Sequence, residues 1–272
     1  MIAAGALAGR TIVVTRASEQ AAAFVALLEA EGATVVQAPT IAIAPPASWA
    51  PLDAALDALA GFTWVIFTSV NGVVMVDRRL RERGGTWRAL RGARLAAIGP
   101  ATARALGEHG LRVDVVPDDY RAEGLVERLR GRVGPGDRVL LPRAARTRDL
   151  LVAALRGLGA DVCEVAAYTT RRVEGAGPRL RQALAGGAVD AVTFTSSSTV
   201  RHFAELFTAA ERRAWLEGVV IAAIGPITAA TAAEHGLTTH VMPREYTVPA
   251  LARALVEHFA AAPPARPGRR SE

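Results

Sequence analysis

The sequence predicts an α/β fold made of two similar parallel-sheet domains. Three observations carry this. Short apolar runs alternate with Ala/Leu/Arg-rich helical stretches along the chain. The runs are apolar throughout, as in strands buried on both faces of a parallel sheet. The chain also repeats itself, once, at an offset of 127 or 126 residues.

Taken in order, the first strand is Thr11–Thr15. A helix follows in AAAFVALLEAEG, with its apolar residues on one side and Gly32 suited to a C-cap. Thr34–Gln37 is the second strand, and Thr40–Pro51 (TIAIAPPASWAP) reads as an extended linker or crossover strand. Strands at Trp64–Thr68, Arg94–Ile98 and Val113–Val116 complete the first cycle. The second contains Arg138–Leu141, Val162–Ala166, an extended Ala167–Pro178, then Ala191–Thr195, Val219–Ile224 and His240–Met242. The Pro/Arg-rich end, Ala261–Glu272, is expected to fray.

The repeat is read directly. IVVTRASEQ aligns with VLLPRAART, placing Arg16 on Arg143, and VIFTSVNGV aligns with VTFTSSSTV. AAIGPATARALGEHGLRVDVVPDDYRAEGL matches AAIGPITAATAAEHGLTTHVMPREYTVPAL at fifteen of thirty positions, pairing Gly99 with Gly225 and Tyr120 with Tyr246.

Composition narrows the function. The chain has 272 residues, 51% apolar, 21% charged and 5% aromatic, which suits a soluble globular protein with a sizeable core. No apolar run reaches the ~18 residues of a membrane helix, and no export leader is expected from MIAAGALAGRTIVV. One cysteine, Cys163, excludes an internal disulfide and a Cys-rich metal site, so a reducing cytoplasm is the expected compartment. All 32 basic residues are arginine. The lack of lysine excludes Schiff-base chemistry and a Walker A loop. The net charge of +6 suits an anionic small molecule or a nucleic acid and does not choose between them.

Candidate site residues lie at strand ends. Each half has two strand-to-helix junctions with small hydroxyl residues, FTSVNG or FTSSST, and IGP-x-T. Ligands of open α/β sheets bind beyond the carboxyl ends of the strands, where helix N-termini favour anions. Ser69, Thr102, Ser197 and Thr228 are placed to cap these helices and donate to an anion, and plain capping competes for each. Arg16 and Arg143 end the first strand of each half and can clamp carboxylates or form salt bridges. Tyr168 ends the strand DVCEVAAY, where a phenol can donate a proton or simply pack. His109 and His235 sit before helix-ending glycines and read as structural, while His202, His240 and His258 show no metal spacing. There is no G-x-S-x-G elbow and no G-x-G-x-x-G after a strand. The arginine run Arg78–Arg83 reads as a solvated helix face.

In these motifs the sequence resembles the uroporphyrinogen-III synthase family. The carriers are IVVTR (Ile12–Arg16), FTS-x-N-G-V (Phe67–Val73), the two AAIGP-x-T segments, Tyr168 followed by Thr169, and EYTVPAL (Glu245–Leu251). The resemblance covers roughly residues 10–258. It implies two α/β domains joined by a two-stranded linker, with a cleft between them. Domain one would be 1–37 with 172–272, domain two 44–164, and the linker strands 38–43 and 165–171. It further implies a cytoplasmic lyase that closes the linear tetrapyrrole hydroxymethylbilane to uroporphyrinogen III, inverting ring D and losing water. No cofactor, metal, nucleic acid or membrane is expected, and a monomer is. Tyr168 would assist hydroxyl departure, and Arg16, Thr68, Ser69, Thr102, Arg143, Ser197, Thr228 and Tyr246 would hold the substrate. A non-catalytic two-domain binder or regulator for an anionic small molecule is the alternative.

Overall fold

The computed structural model describes residues 5–90, 92–147 and 149–261. The chain begins with β1 (Thr11–Val14), α1 (Ser18–Ala30), β2 (Thr34–Gln37) and β3 (Ile41–Ala44). It continues through α2 (Ala50–Asp57), β4 (Trp64–Phe67), α3 (Val70–Glu82), β5 (Arg94–Ala97), α4 (Pro100–Gly107), α5 (Ala122–Leu129), β6 (Arg138–Ala144), α6 (Leu150–Gly157) and β7 (Asp161–Arg172). It ends with α7 (Ala176–Ala185), β8 (Ala191–Phe194), α8 (Ser197–Glu205), α9 (Ala209–Trp215), β9 (Val220–Ala223), α10 (Pro226–Glu234) and α11 (Val248–Ala261). The end expected to fray lies, past Ala261, outside the described residues.

Two units result. One is discontinuous, Met1–Ala42 with Arg171–Glu272, and the other is continuous, Ile43–Thr170. The discontinuous unit holds a four-stranded parallel sheet in the order β2-β1-β8-β9. The continuous unit centres on a five-stranded sheet in the order β3-β7-β6-β4-β5, in which β7, β6, β4 and β5 run parallel. Strands matched by the repeat occupy matching places in the two orders. The mixed α/β class with parallel sheets is the one the sequence predicts.

Both faces of each sheet are covered, which explains the unbroken apolar strands. In β4, Trp64 and Ile66 pack on one face with Leu125, Leu129, Leu151 and Leu155. Val65 and Phe67 point the other way, toward Val73, Val76 and Leu80 of α3. The same two-residue alternation appears in β1, where Ile12 and Val14 meet Phe24, Leu28 and Leu255, and Val13 meets Phe194 and Phe203. Burying each such side chain stabilises by roughly 1.5–3 kcal/mol, so the apolar pattern marks strands covered on both faces.

The structure corrects three of these expectations. Val113–Val116 and His240–Met242 are not strands. Each shrinks to a single bridge, Ala96↔Val115 and Ala222↔Val241. The reason is the same in both places: a side chain takes a ladder donor. Asp114 Oδ2 accepts from Leu95 N–H at 2.8 Å, and His240 Nδ1 accepts from Ile221 N–H at 3.0 Å. Second, the strand expected to end at Ala166 and the extended stretch after it form one strand, β7, which runs to Arg172, and α7 begins at Ala176, inside the stretch expected to stay extended to Pro178. Third, Arg78–Arg83 is not merely solvated. Arg79 grips both Asp53 oxygens at 2.6 and 2.7 Å and stacks over Trp49, tying α3 to α2. That pairing holds the Asp53 carboxyl below its ordinary range.

Candidate active site

The carboxyl edge of the continuous unit assembles around the switch between β4 and β6, where an open parallel sheet offers its ligand crevice. Ser69 follows β4 in an extended conformation and caps α3: its Oγ accepts from Gly72 N–H at 3.1 Å. Gly72 allows this close start, since a Cβ there would come within 3.1 Å of the Pro142 carbonyl oxygen on β6. Tyr168, 7% exposed, reaches the same point from β7. Its Oη lies 2.9 Å from Ser69 Oγ. The Asn71 side chain, which sequence reasoning did not single out, also favours the ionised phenol. Burial pushes the phenol above its ordinary pKa of about 10, while the Ser69 and Asn71 side chains pull it down. Thr68 is half-buried at the end of β4.

Arg143 is placed differently from a side chain open to ligand. It is 3% exposed, and its Nε and Nη2 lie 2.6 and 2.5 Å from Glu164 Oε1, with Asp149 at 3.7 Å. The partner comes from the sheet register, in which Leu141 faces Glu164. Sequence alone does not give that register.

The corresponding edge of the discontinuous unit carries Arg16 after β1. Its Nε donates to the Gln20 carbonyl at 3.1 Å, and burial lowers its pKa from the ordinary value. The cap of α8 differs from the expected one. Ser196, not Ser197, caps this helix, in a reciprocal box with Thr199. The repeat offset of 127 from Ser69 already points to Ser196. Ser197 instead accepts from Thr231 Oγ1 at 2.8 Å, linking α8 to α10.

Thr102 and Thr228 also do not cap their helices. They lie inside the first turns of α4 and α10, 3% and 5% exposed. The N-caps are Gly99 and Gly225, neither with a side-chain bond. These two helix starts therefore keep backbone donors without a capping side chain. An aromatic ring covers each glycine. A Cβ on Gly99 would sit 3.4 Å from Tyr120, and one on Gly225 would sit 3.1 Å from Tyr246. Tyr120 is the only described non-glycine residue with positive φ, +53°, a strained setting of the kind found at functional sites. The repeat paired Tyr120 with Tyr246, but nothing in the sequence marked its backbone.

Two surface pockets, of about 510 and 350 Å³, lie elsewhere on the continuous unit. The first is lined by Phe62, Thr63, Trp64, Arg94 and Asp137, at the amino edge of the sheet. Among the described residues no group of three or more side chains is arranged to hold a metal, and no helix is long and apolar enough to cross a membrane.

Known proteins share this sequence and fold. The model of the family described as uroporphyrinogen-III synthase HemD matches residues 22–253. A uroporphyrinogen-III synthase of Synechococcus elongatus is 38% identical over 253 residues, covering 92% of this chain and 95% of that protein. A putative uroporphyrinogen-III synthase of Methanothermobacter thermautotrophicus is 41% identical, covering 89% and 96%. Among solved structures, a mutant uroporphyrinogen III synthase from the extremely thermophilic bacterium Thermus thermophilus superposes with a TM-score of 0.66 at 24% identity, covering 92% of this chain and 98% of that one, and supports the fold. With the family model spanning most of the chain and near-full-length relatives above 30% identity, this chain belongs to the uroporphyrinogen-III synthase family.

Proposed function

We propose that this chain, as a lyase of that family, closes hydroxymethylbilane to uroporphyrinogen III with Tyr168 as its proton donor. The task is control of connectivity. A pyrrole nitrogen lone pair expels the terminal hydroxyl and leaves an electrophilic azafulvene. Unguided closure gives the symmetric isomer I. To give isomer III, attack must occur at the substituted carbon of ring D, forming a spiro intermediate that fragments and recloses. Holding reacting ends in register can supply several kcal/mol without a strong acid or base.

The observation that carries the proposal is the buried phenol of Tyr168 at the carboxyl edge of its sheet, bonded to Ser69 at the start of α3. A phenol is protonated at neutral pH and can hand its proton to a departing hydroxyl, and the bond to Ser69 offsets part of the upward shift that burial imposes. The substrate's carboxylates are assigned to the glycine-started helices α4 and α10, with Thr102 and Thr228, and to Arg16, Thr68, Ser197 and Tyr246. Arg143 adds a charge already shared with Glu164 and steadies the end of β6. The reading needs no metal, organic cofactor or nucleic acid, and takes the chain to act as a cytoplasmic monomer.

The test supplies freshly made hydroxymethylbilane, oxidises the product and measures the ratio of isomer III to isomer I. An excess of isomer III at a rate above the spontaneous one is expected. Isomer I alone, at the spontaneous rate, would leave a non-catalytic binder of anionic small molecules as the better account.

A further inference from the structure

We propose that Ser69 is a positioning residue that donates to the Tyr168 oxygen and so turns the single Tyr168 proton toward the substrate. This rests on the reading of Tyr168 as the proton donor. The 2.9 Å distance allows either oxygen to donate; the need for a phenol proton that can reach a ligand decides the direction. Gly72 N–H can only donate, and it occupies one lone pair of Ser69 Oγ at 3.1 Å. Ser69 retains one proton of its own, 2.9 Å from Tyr168 Oη. If the phenol donated to Ser69, its only proton would be turned into the protein and away from any ligand. If Ser69 donates, the phenol proton is available, and the oxygen keeps a partner after the proton leaves.

The chemistry then balances. The Tyr168 proton passes to the leaving hydroxyl and the C–O bond breaks. Water departs, and the pyrrole nitrogen lone pair leaves the azafulvene in its protonated, cationic form, whose charge the phenolate balances. The resulting phenolate keeps the Ser69 O–H as its partner, with Ser69 in turn polarised by the first turn of α3, and the Asn71 side chain also favours it. The proton released when the closing pyrrole regains aromaticity restores the phenol. Burial resists the phenolate and these two side chains favour it, which is the balance a donor that must be refilled requires. The repeat supplies an internal contrast. Ser196, which caps α8 in the same way, has Ser198 Oγ at 2.9 Å, a partner on its own helix.

A double-mutant cycle tests this. Ser69→Ala in the native background is expected to lower kcat about tenfold or more, with KM little changed. In the Tyr168→Phe background the same change is expected to cost less than about twofold, because its target is gone. The alkaline limb of the kcat profile should move to higher pH in Ser69→Ala, since a bond favouring the phenolate is lost. Ser69→Thr, which keeps cap and hydroxyl, should restore the rate. Ser69→Asp, a good cap that has no proton to give when ionised, should lose rate with its melting temperature kept, and this variant decides if the alanine protein does not fold. Equal losses in both backgrounds would overturn the inference. A raised KM at unchanged kcat would do the same and make Ser69 a carboxylate holder. If Tyr168→Phe itself keeps full rate, the proton-donor reading fails first, an outcome distinct from additivity in a cycle where Tyr168→Phe is slow.

Discussion

Ser69 and Ser196 stand at the same place in two copies of one strand–helix unit, and their surroundings differ: Ser196 shares a reciprocal box with Thr199, where Ser69 faces Gly72, and their further hydroxyl partners are not the same. Both follow a fully buried strand, and both cap the next helix through a backbone N–H three residues on. Ser69 then meets the phenol of Tyr168, while Ser196 meets Ser198. The difference arises in the strand that crosses to the capped helix. In the second copy β7 runs unbroken for twelve residues and carries Tyr168 to the edge. In the first copy the same stretch is split into β2 and β3, and the position 127 residues before Tyr168 is Ile41. Duplication copied the frame, and the continuous unit, which joins strands of both copies, has a phenol at this place where the discontinuous unit has Ile41. A reaction that expels a single hydroxyl needs only one such donor.

The sharpest way to break this contrast is Tyr168→Phe. A positioned general acid contributes roughly 10²- to 10⁴-fold, so the rate of isomer III formation should fall at least about a hundredfold with the melting temperature nearly unchanged. Unaltered turnover would mean that both copies are frame and neither carries the acid.

The next largest effect is expected at Arg143. Its counterpart Arg16 bonds a backbone carbonyl, and the residue corresponding to Glu164 is Gln37. Glu164→Gln makes the second copy like the first at this point and removes the nearer carboxylate of Arg143, 3% exposed, leaving Asp149 at 3.7 Å. Removing one partner of a fully buried ion pair costs about 3–5 kcal/mol. Because Glu164 is itself 35% exposed on its side chain, about 1–3 kcal/mol is expected, read as a fall in the denaturation midpoint.

Alkaline pH separates the copies as well. Burial raises the Tyr168 pKa above the unfolded value of 10.0. Its contribution to stability is therefore complete below pH 10 and is lost as pH rises from there through the higher folded value. Stability should fall more steeply above pH 10 in the native protein than in Tyr168→Phe. Identical slopes would show that the phenol ionises as easily folded as unfolded. Ser196→Ala should cost about 1 kcal/mol of stability, the ordinary worth of a cap, and leave kcat untouched.

Much of the frame was legible because burial on both sheet faces writes itself as unbroken apolar runs, as in WVIF of β4 and TIVV of β1. What was not legible depended on partners distant in sequence. Asp114 and His240 erase two expected strands by taking a ladder donor, and no local pattern distinguishes a side chain that does so. Glu164 reaches Arg143 only through the register of β6 on β7. Tyr168 was legible as a strand-end phenol, but its bond to Ser69 joins residues 99 apart. The Ser196 cap, by contrast, was present in the repeat alignment. A triple-serine run obscures it locally, since any of the three has the chemistry to cap.

The smallest expected effect probes the second pair of junctions, where the copies look most alike. Gly99 and Gly225 both start their helices from extended backbone, φ −169° and −171°, which any residue adopts. Glycine is required there only by the ring above it. An added Cβ on Gly225 would lie 3.1 Å from Tyr246 Cγ and 3.2 Å from Cδ1, so the ring must yield. On Gly99 the nearest atom, Tyr120 Cβ, would be at 3.4 Å, an ordinary contact. Gly99→Ala should therefore change stability by no more than about 0.5 kcal/mol, and Gly225→Ala should cost about 1 kcal/mol. The ring can yield only by moving off the N-terminus of α10, where the proposal places a substrate carboxylate. Gly225→Ala should then raise KM by a few-fold, about 0.5–1 kcal/mol of binding, while Gly99→Ala leaves it unchanged. Equal KM values in the two variants would show that Tyr246 covers its helix without touching the ligand, and would return that aromatic to the packing role its position also allows.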